Sequence, residues 1–348
     1  MRILLVTDAW FPQINGVVRT LSTVVDVLRQ QGHEVATISP DQFRSIPCPS
    51  YAEIRLALFP GQQVRETFDT FAPNAIHIAT EGPLGMTARR LCVKRNLPFT
   101  TSFHTKFPEY IHARFRVPVS WTYAWLRRFH GKAERMMVTT PTIEKELGDR
   151  GFTNTALWTR GVDTELFRPR SAADIPAHLR GLPRPLYLYI GRVSIEKNIS
   201  AFLDCNLSGS KIVVGDGPQL NELKSRYPDV VFTGAKFDDE LACHYASADV
   251  FVFPSRTDTF GLVLLEALAS GVPVAAYPVP GPIDVITDPT VGCLDNSLET
   301  AINTAVMRDR ARCRDFALNF SWERCAELFQ SYLAPLTEAS QPSRTSSA

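Results

Sequence analysis

The chain has 348 residues, of which 45% are hydrophobic and 21% charged, and its formal net charge is +1. This length suggests two domains, and the composition is that of an ordinary globular protein rather than a fibrous or low-complexity one. No segment approaches the roughly 18 consecutive apolar residues of a membrane-spanning helix, so we expect none to cross a bilayer.

The first half of the chain alternates predicted strands and helices. Residues 1–7 are mostly apolar, as in a buried parallel strand, and residues 16–31 have helical periodicity. Residues 34–39 predict a second strand, and this β-α-β spacing requires a parallel sheet. The series continues with strands at 75–78, 98–102 and 135–139 and with helices at 84–95 and 119–135.

Residues 159–169 lose this periodicity and indicate a linker, after which a second α/β series begins. Its predicted strands lie at 186–190, 211–214, 230–233, 250–253 and 272–276, and its last helix lies at 321–333. Residues 337–348 hold almost no apolar side chains, so we expect disorder there. The pattern predicts two doubly wound α/β domains, in which ligands bind at the carboxyl ends of the strands.

Seven cysteines are scattered along the chain without a C-x-x-C pair: Cys48, Cys92, Cys205, Cys243, Cys293, Cys313 and Cys325. An odd number of isolated cysteines indicates free thiols in a reducing compartment rather than a disulfide framework or a zinc site. The apolar run from Ile3 to Val6 is too short for a secretory signal. We therefore expect a cytoplasmic protein.

Two acidic residues flank the start of an apolar helix in the second half. Asp258 follows the pair Ser255-Arg256, Gly261 opens the helix, and Glu266 lies eight residues after Asp258. Backbone N–H groups at a helix start suit phosphate oxygens, and Glu266 could accept hydrogen bonds from both hydroxyls of a ribose. The alternative is a helix-capping Asp258 and a solvated Glu266, although a buried carboxylate would need a partner.

Two cations flank the turn that follows the strand at 186–190. Arg192 and Lys197 stand beside a predicted helix start, where they could neutralise a diphosphate. A single cation in a loop is usually a solvated surface charge. The acidic run at 238–240 precedes a helix and is interpreted as charge in its first turn rather than as a metal site.

The first half offers two candidate residues beyond strand ends. His104 follows the strand at 98–102 and could point into a ligand cleft, while a lone histidine is more often structural. Glu81 could pair with a sugar or acceptor hydroxyl, or could be a helix-start acid. The loop before Gly16 lacks G-x-G-x-x-G, which argues against a dehydrogenase, and Gly16 itself could simply shape the entry to the helix.

Basic and aromatic residues mix at 103–135. Seven Lys/Arg and two Glu there give +5, which equals the whole excess of residues 1–165. Such a mixture suits an anionic membrane surface, with Trp121, Trp125, Arg127 and Arg128 as the contacts. The alternatives are core aromatics below a solvated basic face, or nucleic-acid binding, which uses the same residue types.

Residues 255–275, SRTDTFGLVLLEALASGVPVA, resemble the Glu-x7-Glu nucleotide-sugar motif of family-4 retaining glycosyltransferases, with Asp258 in place of the first Glu. Residues 191–197 are similar to the family's G-R-x-x-x-x-K segment, and 215–218 to its G-[DE]-G-P turn. Residues 278–282 resemble a subgroup with GDP-mannose-dependent α-mannosyltransferases and plant-type sulfolipid synthases. The resemblance covers nearly the whole chain.

The resemblance implies a GT-B fold, which is an α/β architecture of two Rossmann-like doubly wound domains facing across a cleft. Residues 1–165 would form the acceptor-side domain and 166–320 the nucleotide-sugar-binding domain. The C-terminal helix, 321–335, would cross back to the first domain, and 336–348 would be a disordered tail.

The implied reaction moves a hexosyl group from a nucleoside-diphosphate sugar to an acceptor hydroxyl with retention, without a metal or cofactor. GDP-mannose is the first candidate donor, followed by a UDP-hexose or UDP-hexuronate. The implied catalytic residues are His104, Arg192, Lys197 and Asp258, and His104 also joins Glu81 on the acceptor side. The implied donor-binding residues are Gly16, Arg192, Lys197, Gly217, Ser255, Arg256, Thr259, Phe260, Gly261, Leu262 and Glu266.

Because relatives often glycosylate lipids, the mixture at 103–135 favours contact with an anionic membrane on the inner face of the cell over nucleic acid. The expected partners are a nucleotide-sugar donor, a lipid or glycan acceptor and that membrane surface. Two other functions remain open: a GT-B nucleotide-sugar epimerase, which would need no acceptor, and a non-catalytic nucleotide-sugar-binding protein, which would show no turnover.

Overall fold

The computed structural model describes residues 1–13, 15–48, 51–258 and 260–336. The candidate donor-binding Thr259 and the predicted tail from residue 337 onward lie outside the described residues. The chain divides into two units. Unit 1 comprises Met1–Thr159 and the chain from Trp322, and unit 2 comprises Arg160–Ser321.

The sequence places the first division at 165/166, whereas the structure places it at Thr159/Arg160. Contacts of residues 160–165 explain the position. The Val162 N–H donates to the Phe320 carbonyl at 3.0 Å, and Arg314 donates to the Thr164 carbonyl at 2.9 Å. Val162 also belongs to the apolar core of unit 2, so this part of the linker is anchored to the second unit.

Unit 1 has a six-stranded sheet in which every strand pairs in parallel, in the order β2-β1-β5-β6-β7-β8. Its strands are β1 (Arg2–Val6), β2 (Glu34–Ile38), β5 (Ala75–Ile78), β6 (Thr100–Phe103), β7 (Arg135–Val138) and β8 (Thr155–Leu157). A separate antiparallel hairpin joins β3 (Ser45–Cys48) to β4 (Tyr51–Ala57). Most sheet residues are fully buried, as expected where helices cover both faces.

The helices of unit 1 are α1 (Gly16–Gln30), α2 (Gly61–Phe71), α3 (Pro83–Arg95), α4 (Phe107–Phe115), α5 (Val119–His130) and α6 (Pro141–Asp149). The prediction of one helix over 119–135 is wrong in its second part. Helix α5 ends at His130, because Gly131 closes it with an N–H donated to the Arg127 carbonyl and the chain then turns into β7.

Unit 2 has a second six-stranded parallel sheet, in the order β11-β10-β9-β12-β13-β14. Its strands are β9 (Leu186–Ile190), β10 (Ser210–Val214), β11 (Val231–Gly234), β12 (Val250–Phe253), β13 (Val274–Ala276) and β14 (Gly292–Leu294). Strand order reverses between β9 and β12. The carboxyl ends of these two strands therefore form the switch point at which doubly wound sheets bind ligands.

The helices of unit 2 are α7 (Ile199–Leu203), α8 (Leu220–Arg226), α9 (Asp238–Ser247), α10 (Leu262–Ala269), α11 (Pro282–Val285), α12 (Leu298–Ala305) and α13 (Arg310–Ala317). The last helix of the chain, α14 (Trp322–Tyr332), packs in unit 1. There the indole N–H of Trp158 donates to the Cys325 carbonyl at 3.1 Å, and the Tyr332 hydroxyl donates to the Leu157 carbonyl at 3.1 Å.

Among the described residues, no helix is both long enough and apolar enough to cross a bilayer. All seven cysteines are free thiols, and three of them, Cys92, Cys313 and Cys325, are buried. Burial raises the pKa of the Cys92 and Cys313 thiols to about 12, so both behave as inert core residues.

A pair of histidines ties helix α9 to the loop before β9. The His244 ring is fully buried, its Nδ1 lies 2.7 Å from the Glu240 carbonyl, and its Nε2 lies 3.2 Å from Nε2 of His178. Burial lowers the pKa of His244 and outweighs the raising effect of the hydrogen bond to the Glu240 carbonyl, and the neighbouring His178 and Lys236 lower this pKa slightly further. The folded protein therefore favours the neutral ring of His244.

This pair predicts a loss of stability on acidification. Folding lowers the pKa of His244, so the neutral ring contributes to the free energy of unfolding. This contribution is present above the ordinary histidine pKa of about 6.5 and is lost as the pH falls through the lower pKa of the folded state. We expect the free energy of unfolding, measured by urea titration from pH 7.5 to pH 5, to fall more steeply for the wild type than for His244→Gln. The exposed His112→Gln variant should keep the wild-type slope, and a matching slope for His244→Gln would contradict the assignment.

Candidate active site

The loops at the switch point of unit 2 bring Lys197 and Asp258 together. Lys197 follows β9 and Asp258 follows β12, and the Lys197 Nζ lies 2.6 Å from Oδ1 of Asp258. About a quarter of the Lys197 side chain and a fifth of the Asp258 side chain are exposed. The second carboxylate oxygen of Asp258 is buried and accepts no hydrogen bond from the residues that the structure describes. The site thus pairs a cation with a carboxylate that retains acceptor capacity.

Close packing between the loops after β9 and β10 explains why position 217 is a glycine. The Val193 N–H donates to the Asp216 carbonyl at 2.8 Å, and a Cβ on Gly217 would come within 2.3 Å of the Val193 carbonyl oxygen. Gly217 also has a φ of +157°, so a side chain there is excluded on both grounds. The Tyr189 hydroxyl donates to the Arg192 carbonyl at 2.8 Å, which fixes the backbone from which Arg192 extends.

Glu266 is buried in helix α10, with 4% of its surface exposed. The hydroxyl of Tyr245, on helix α9, donates to its Oε2 at 2.7 Å. The sequence left open whether Glu266 is a solvated helix acid, and the structure excludes that alternative. A buried carboxylate held by a charge-assisted hydrogen bond is typical of a binding residue or of a core network.

Helix α10 begins directly after the acidic loop, with Gly261 as its N-cap at a φ of +85°. Leu262 is its first residue, half-buried against the core of unit 2. The side chain of Phe260 lies inside that core, with 7% exposed, so only its backbone is available to a ligand. The Phe260 and Asp258 carbonyl oxygens lie 3.1–3.2 Å from where a Cβ on Gly281 would stand, which explains the small residue at that position.

Further contacts shape the loop after β12. Ser255 is 1% exposed, and the guanidinium carbon of the exposed Arg256 lies 3.5 Å from the centre of the Tyr277 ring, a cation–π contact. The Asn198 side chain donates to the Pro254 carbonyl at 3.1 Å and so joins this loop to the Lys197 loop. Neither Asn198 nor Tyr277 is among the site residues predicted from the sequence.

In unit 1, Asp8 follows β1 and caps helix α3. Its carboxylate accepts hydrogen bonds from the Leu84 and Gly85 N–H groups at 2.9 and 3.2 Å and from the Thr80 hydroxyl at 2.9 Å. Burial nevertheless raises the pKa of Asp8 to about 6, against the lowering effect of these hydrogen bonds. Its stabilising contribution is therefore full below about pH 4 and is lost as the pH rises through about 6, opposite in sign to that of His244.

Glu81 lies beyond β5, and its Oε1 lies 3.2 Å from Nε2 of His130, a histidine with no exposed surface. The other ring nitrogen of His130 lies 2.9 Å from the Thr101 hydroxyl on β6. His104 follows the end of β6, is half-buried, and meets the Trp158 ring edge-on with centroids 5.9 Å apart. Strands β5 and β6 are parallel neighbours, so their carboxyl ends lie at the same edge of the sheet. Glu81 and His104 both follow these strand ends.

Gly16 is the exposed first residue of α1. The side chain of Asn15 caps this helix by accepting from the Val17 and Val18 N–H groups, both at 3.0 Å. Two of the four orphan N–H groups at the helix start are therefore already satisfied by the protein. The sequence predicts Gly16 as a site residue but does not reveal the Asn15 cap beside it.

Comparison with known proteins places this geometry in a family. A profile of Glycosyltransferase Family 4 matches residues 14–166, and a profile of Glycosyl transferases group 1 matches residues 184–308. A GDP-mannose-dependent alpha-mannosyltransferase of Mycobacterium tuberculosis is 30% identical over 318 residues, which cover 84% of this chain and 83% of that protein. The chain belongs to glycosyltransferase family 4.

Two other relatives of this family-4 glycosyltransferase support the subgroup identified in the sequence. The sulfoquinovosyl transferase SQD2 of Arabidopsis thaliana is 32% identical over 83% of this chain and 62% of that protein. An alpha-monoglucosyldiacylglycerol synthase of Streptococcus pneumoniae is 29% identical over 84% of this chain and 75% of that protein. Relatives of this kind favour a transferase that uses nucleotide sugars over an epimerase or a non-catalytic binding protein.

Among solved structures, the sucrose-phosphate synthase (tll1590) from Thermosynechococcus elongatus superposes with a TM-score of 0.75 at 24% identity, covering 95% of this chain and 98% of that one. This likeness, with the two Rossmann-like sheets, confirms the predicted GT-B fold.

Helix α5 of the glycosyltransferase carries the predicted membrane-contact residues on its exposed side. Trp121 is 71% exposed and Trp125 38%, while Tyr123 and Phe129 are buried, so only part of the aromatic set belongs to the core. Arg127 and Arg128 are both exposed, and Arg127 donates to the Arg150 carbonyl at 2.8 Å. Other basic residues are engaged locally: Lys106 pairs with Glu146 at 2.7 Å, and Arg135 donates to carbonyls of α14.

The acidic run at the start of α9 is engaged by neighbouring cations. Asp239 pairs with Arg170 and Glu240 with Lys236, both at 2.6 Å. Across the described part of the chain, no three His, Cys, Asp or Glu side chains are grouped as metal ligands would be. A metal-independent reaction stays a prediction of the sequence analysis.

Proposed function

We propose that this family-4 glycosyltransferase transfers a hexosyl group from GDP-mannose to a hydroxyl of a membrane lipid such as a glycolipid, with retention of the anomeric configuration. One observation carries the proposal. At the switch point of unit 2, a cation and a carboxylate from two different loops, Lys197 and Asp258, lie 2.6 Å apart, and one carboxylate oxygen is without a protein partner among the described residues.

The donor diphosphate would bind the cations of this site. Lys197 and Arg192 leave the loop after β9, and the N-terminus of α10 adds backbone N–H groups. Phosphate oxygens would compete with Asp258 for the Lys197 ammonium and release the carboxylate toward hydroxyls of the transferred sugar. Glu266 would accept hydrogen bonds from the ribose hydroxyls, because it is a buried acceptor about one helix turn after Leu262, the first residue of α10.

The transfer step itself would be a front-face displacement. The acceptor oxygen forms a bond to the anomeric carbon on the face that the nucleoside diphosphate leaves, and its proton passes to an oxygen of the departing phosphate. Arg192 and Lys197 would stabilise the negative charge that develops on that phosphate. His104 would hydrogen-bond the transferred sugar, and Glu81 an acceptor hydroxyl.

Donor identity is the first point to test. The relative named above uses GDP-mannose by its description, and the same donor is proposed here. Thermal-shift binding and donor hydrolysis should single out GDP-mannose among GDP-mannose, UDP-glucose, UDP-galactose, UDP-glucuronate and UDP-sulfoquinovose. NMR of the product should show an α-linkage from the α-configured donor. If only a UDP-sugar stabilised the protein, that UDP-sugar would take the place of GDP-mannose as the proposed donor. A β-linked product would overturn the retaining mechanism.

A lipid acceptor is proposed from the exposed face of α5 and from the description of the diacylglycerol-directed relative. Exposed Trp121 and Trp125 are suited to the headgroup region, and Arg127 and Arg128 to anionic lipids. The protein would act as a peripheral enzyme on the inner face of the cell membrane.

This surface predicts a charge-dependent membrane affinity. A basic residue near an anionic surface is worth about 1 kcal/mol, so Arg127→Gln/Arg128→Gln should weaken binding to vesicles of 30% phosphatidylglycerol about tenfold or more. The matched control, Lys224→Gln/Arg226→Gln, removes the same charge from the exposed helix α8 of unit 2 and should bind as the wild type does. Equal binding by both variants in vesicle sedimentation would contradict the assignment of this face.

A further inference from the structure

The side chain of Tyr245 links helix α9 to the candidate donor site. Its ring has no exposed surface, and its hydroxyl donates to Oε2 of Glu266 at 2.7 Å. We propose that Tyr245 is a positioning residue for donor binding, which fixes the orientation of the Glu266 carboxylate relative to helix α10 and so sets the affinity and selectivity of the site for the donor ribose. The inference rests on the ribose-binding role proposed for Glu266.

The ring of Tyr245 is held in place by two other aromatic rings. Phe167 meets it edge-on, with centroids 5.5 Å apart and planes at 89°, and Phe251 on β12 packs at 5.6 Å. Both neighbours have no exposed surface. Since an aromatic side chain has only two rotatable bonds, this packing fixes where the hydroxyl points.

The helix that carries Tyr245 is itself fastened at its C-terminal end. Arg310 donates to the Ala246 and Ala248 carbonyls, and Arg184 donates to the Ser247 carbonyl at 3.1 Å. His244, the neighbouring residue, has Nδ1 2.7 Å from the Glu240 carbonyl. These contacts hold the residues on both sides of Tyr245, so the phenol has little freedom to follow Glu266 if the carboxylate turns.

The hydrogen bond from Tyr245 restricts the orientation of the Glu266 carboxylate. A glutamate side chain has three rotatable bonds, and the barrier to turning its carboxylate group is low. A short O–H···O⁻ bond is among the strong hydrogen bonds of proteins, and it fixes one oxygen in space and with it the plane of the carboxylate. Two ribose hydroxyls can then meet a pre-oriented acceptor, which lowers the entropy lost on binding.

The decisive variant is Tyr245→Phe, which removes one oxygen and keeps the ring packing. We expect the KM for GDP-mannose to rise about tenfold, since a hydrogen bond to a charged group is lost, while kcat stays within about twofold. The matched control is Tyr187→Phe. Tyr187 is another buried tyrosine of unit 2, on β9 in an apolar cluster that includes no residue of α10, and its variant should keep the wild-type KM.

Ribose selectivity separates positioning from a general structural effect. For the wild type, GDP-mannose should bind several-fold more tightly than its 2′-deoxy analogue in calorimetry. Tyr245→Phe should reduce this ratio toward one, and in a Glu266→Gln background it should have no further effect. An unchanged KM and an unchanged ratio in Tyr245→Phe would overturn the inference while the function stands. A wild type that binds neither GDP-mannose nor UDP-glucose would overturn the function and the inference together.

Discussion

Replacing Glu266 by glutamine should raise the KM for the donor by about 10- to 100-fold and leave the protein folded. Glutamine has nearly the same shape, so the buried site in α10 remains filled. The negative charge is lost, and hydrogen bonds to a charged acceptor are worth about 1.5–3 kcal/mol each. If the Tyr245 hydroxyl donates to the amide oxygen, the NH2 group is left to face the ribose hydroxyls, where an acceptor is required.

The experiment compares steady-state kinetics and donor calorimetry for Glu266→Gln and for Glu222→Gln. Glu222 lies in the first turn of α8 and is exposed, so its variant removes the same charge from the same unit without touching the site. A loss of kcat at unchanged KM in Glu266→Gln would assign this carboxylate to the reacting sugar instead of the ribose. A wild-type KM would mean that the buried Glu266–Tyr245 pair is only a core network.

The sequence predicts most of the parallel strands, because each β-α-β step is signalled locally by an apolar run, a periodic helix and a turn, but it does not predict the short edge strands β8 and β14. It does not predict the hairpin of β3 and β4, whose pairing is antiparallel and whose first strand contains Pro47. The sequence does not predict helix α2 either, because most of its residues are polar and only Val64 and Phe68 are buried.

The same limit applies to the site. Lys197 and Asp258 stand in motifs whose spacing could be recognised, and the strand order brings the two loops together. Tyr245 lies in no such motif. Its contact with Glu266 joins helices α9 and α10 across 21 residues and depends on how the helices pack, so no local pattern reveals it. Phe260 lies inside the motif, but its side chain is buried in the core, and the sequence does not reveal that only its backbone is available to a ligand.

The pair of Lys197 and Asp258 predicts the largest loss of turnover. Replacing Lys197 by alanine removes a cation from the developing charge on the leaving phosphate, and deletion of one such stabilising group typically lowers kcat by about 10²- to 10³-fold. The variant also leaves Asp258, with only a fifth of its side chain exposed, without its cationic partner, so part of the effect should appear as weaker donor binding.

Asp258→Asn separates the two contributions. It keeps Lys197 and frees its ammonium from the 2.6 Å ion pair, so kcat should fall less than in Lys197→Ala, while discrimination between GDP-mannose and GDP-glucose should weaken if the carboxylate meets sugar hydroxyls. Lys224→Ala, in the exposed last turn of α8, provides the matched control for the loss of a lysine. If both site variants lose kcat equally and keep their sugar preference, the pair acts as a structural ion pair, and the phosphate-stabilising charge belongs to Arg192 and the N-terminus of α10.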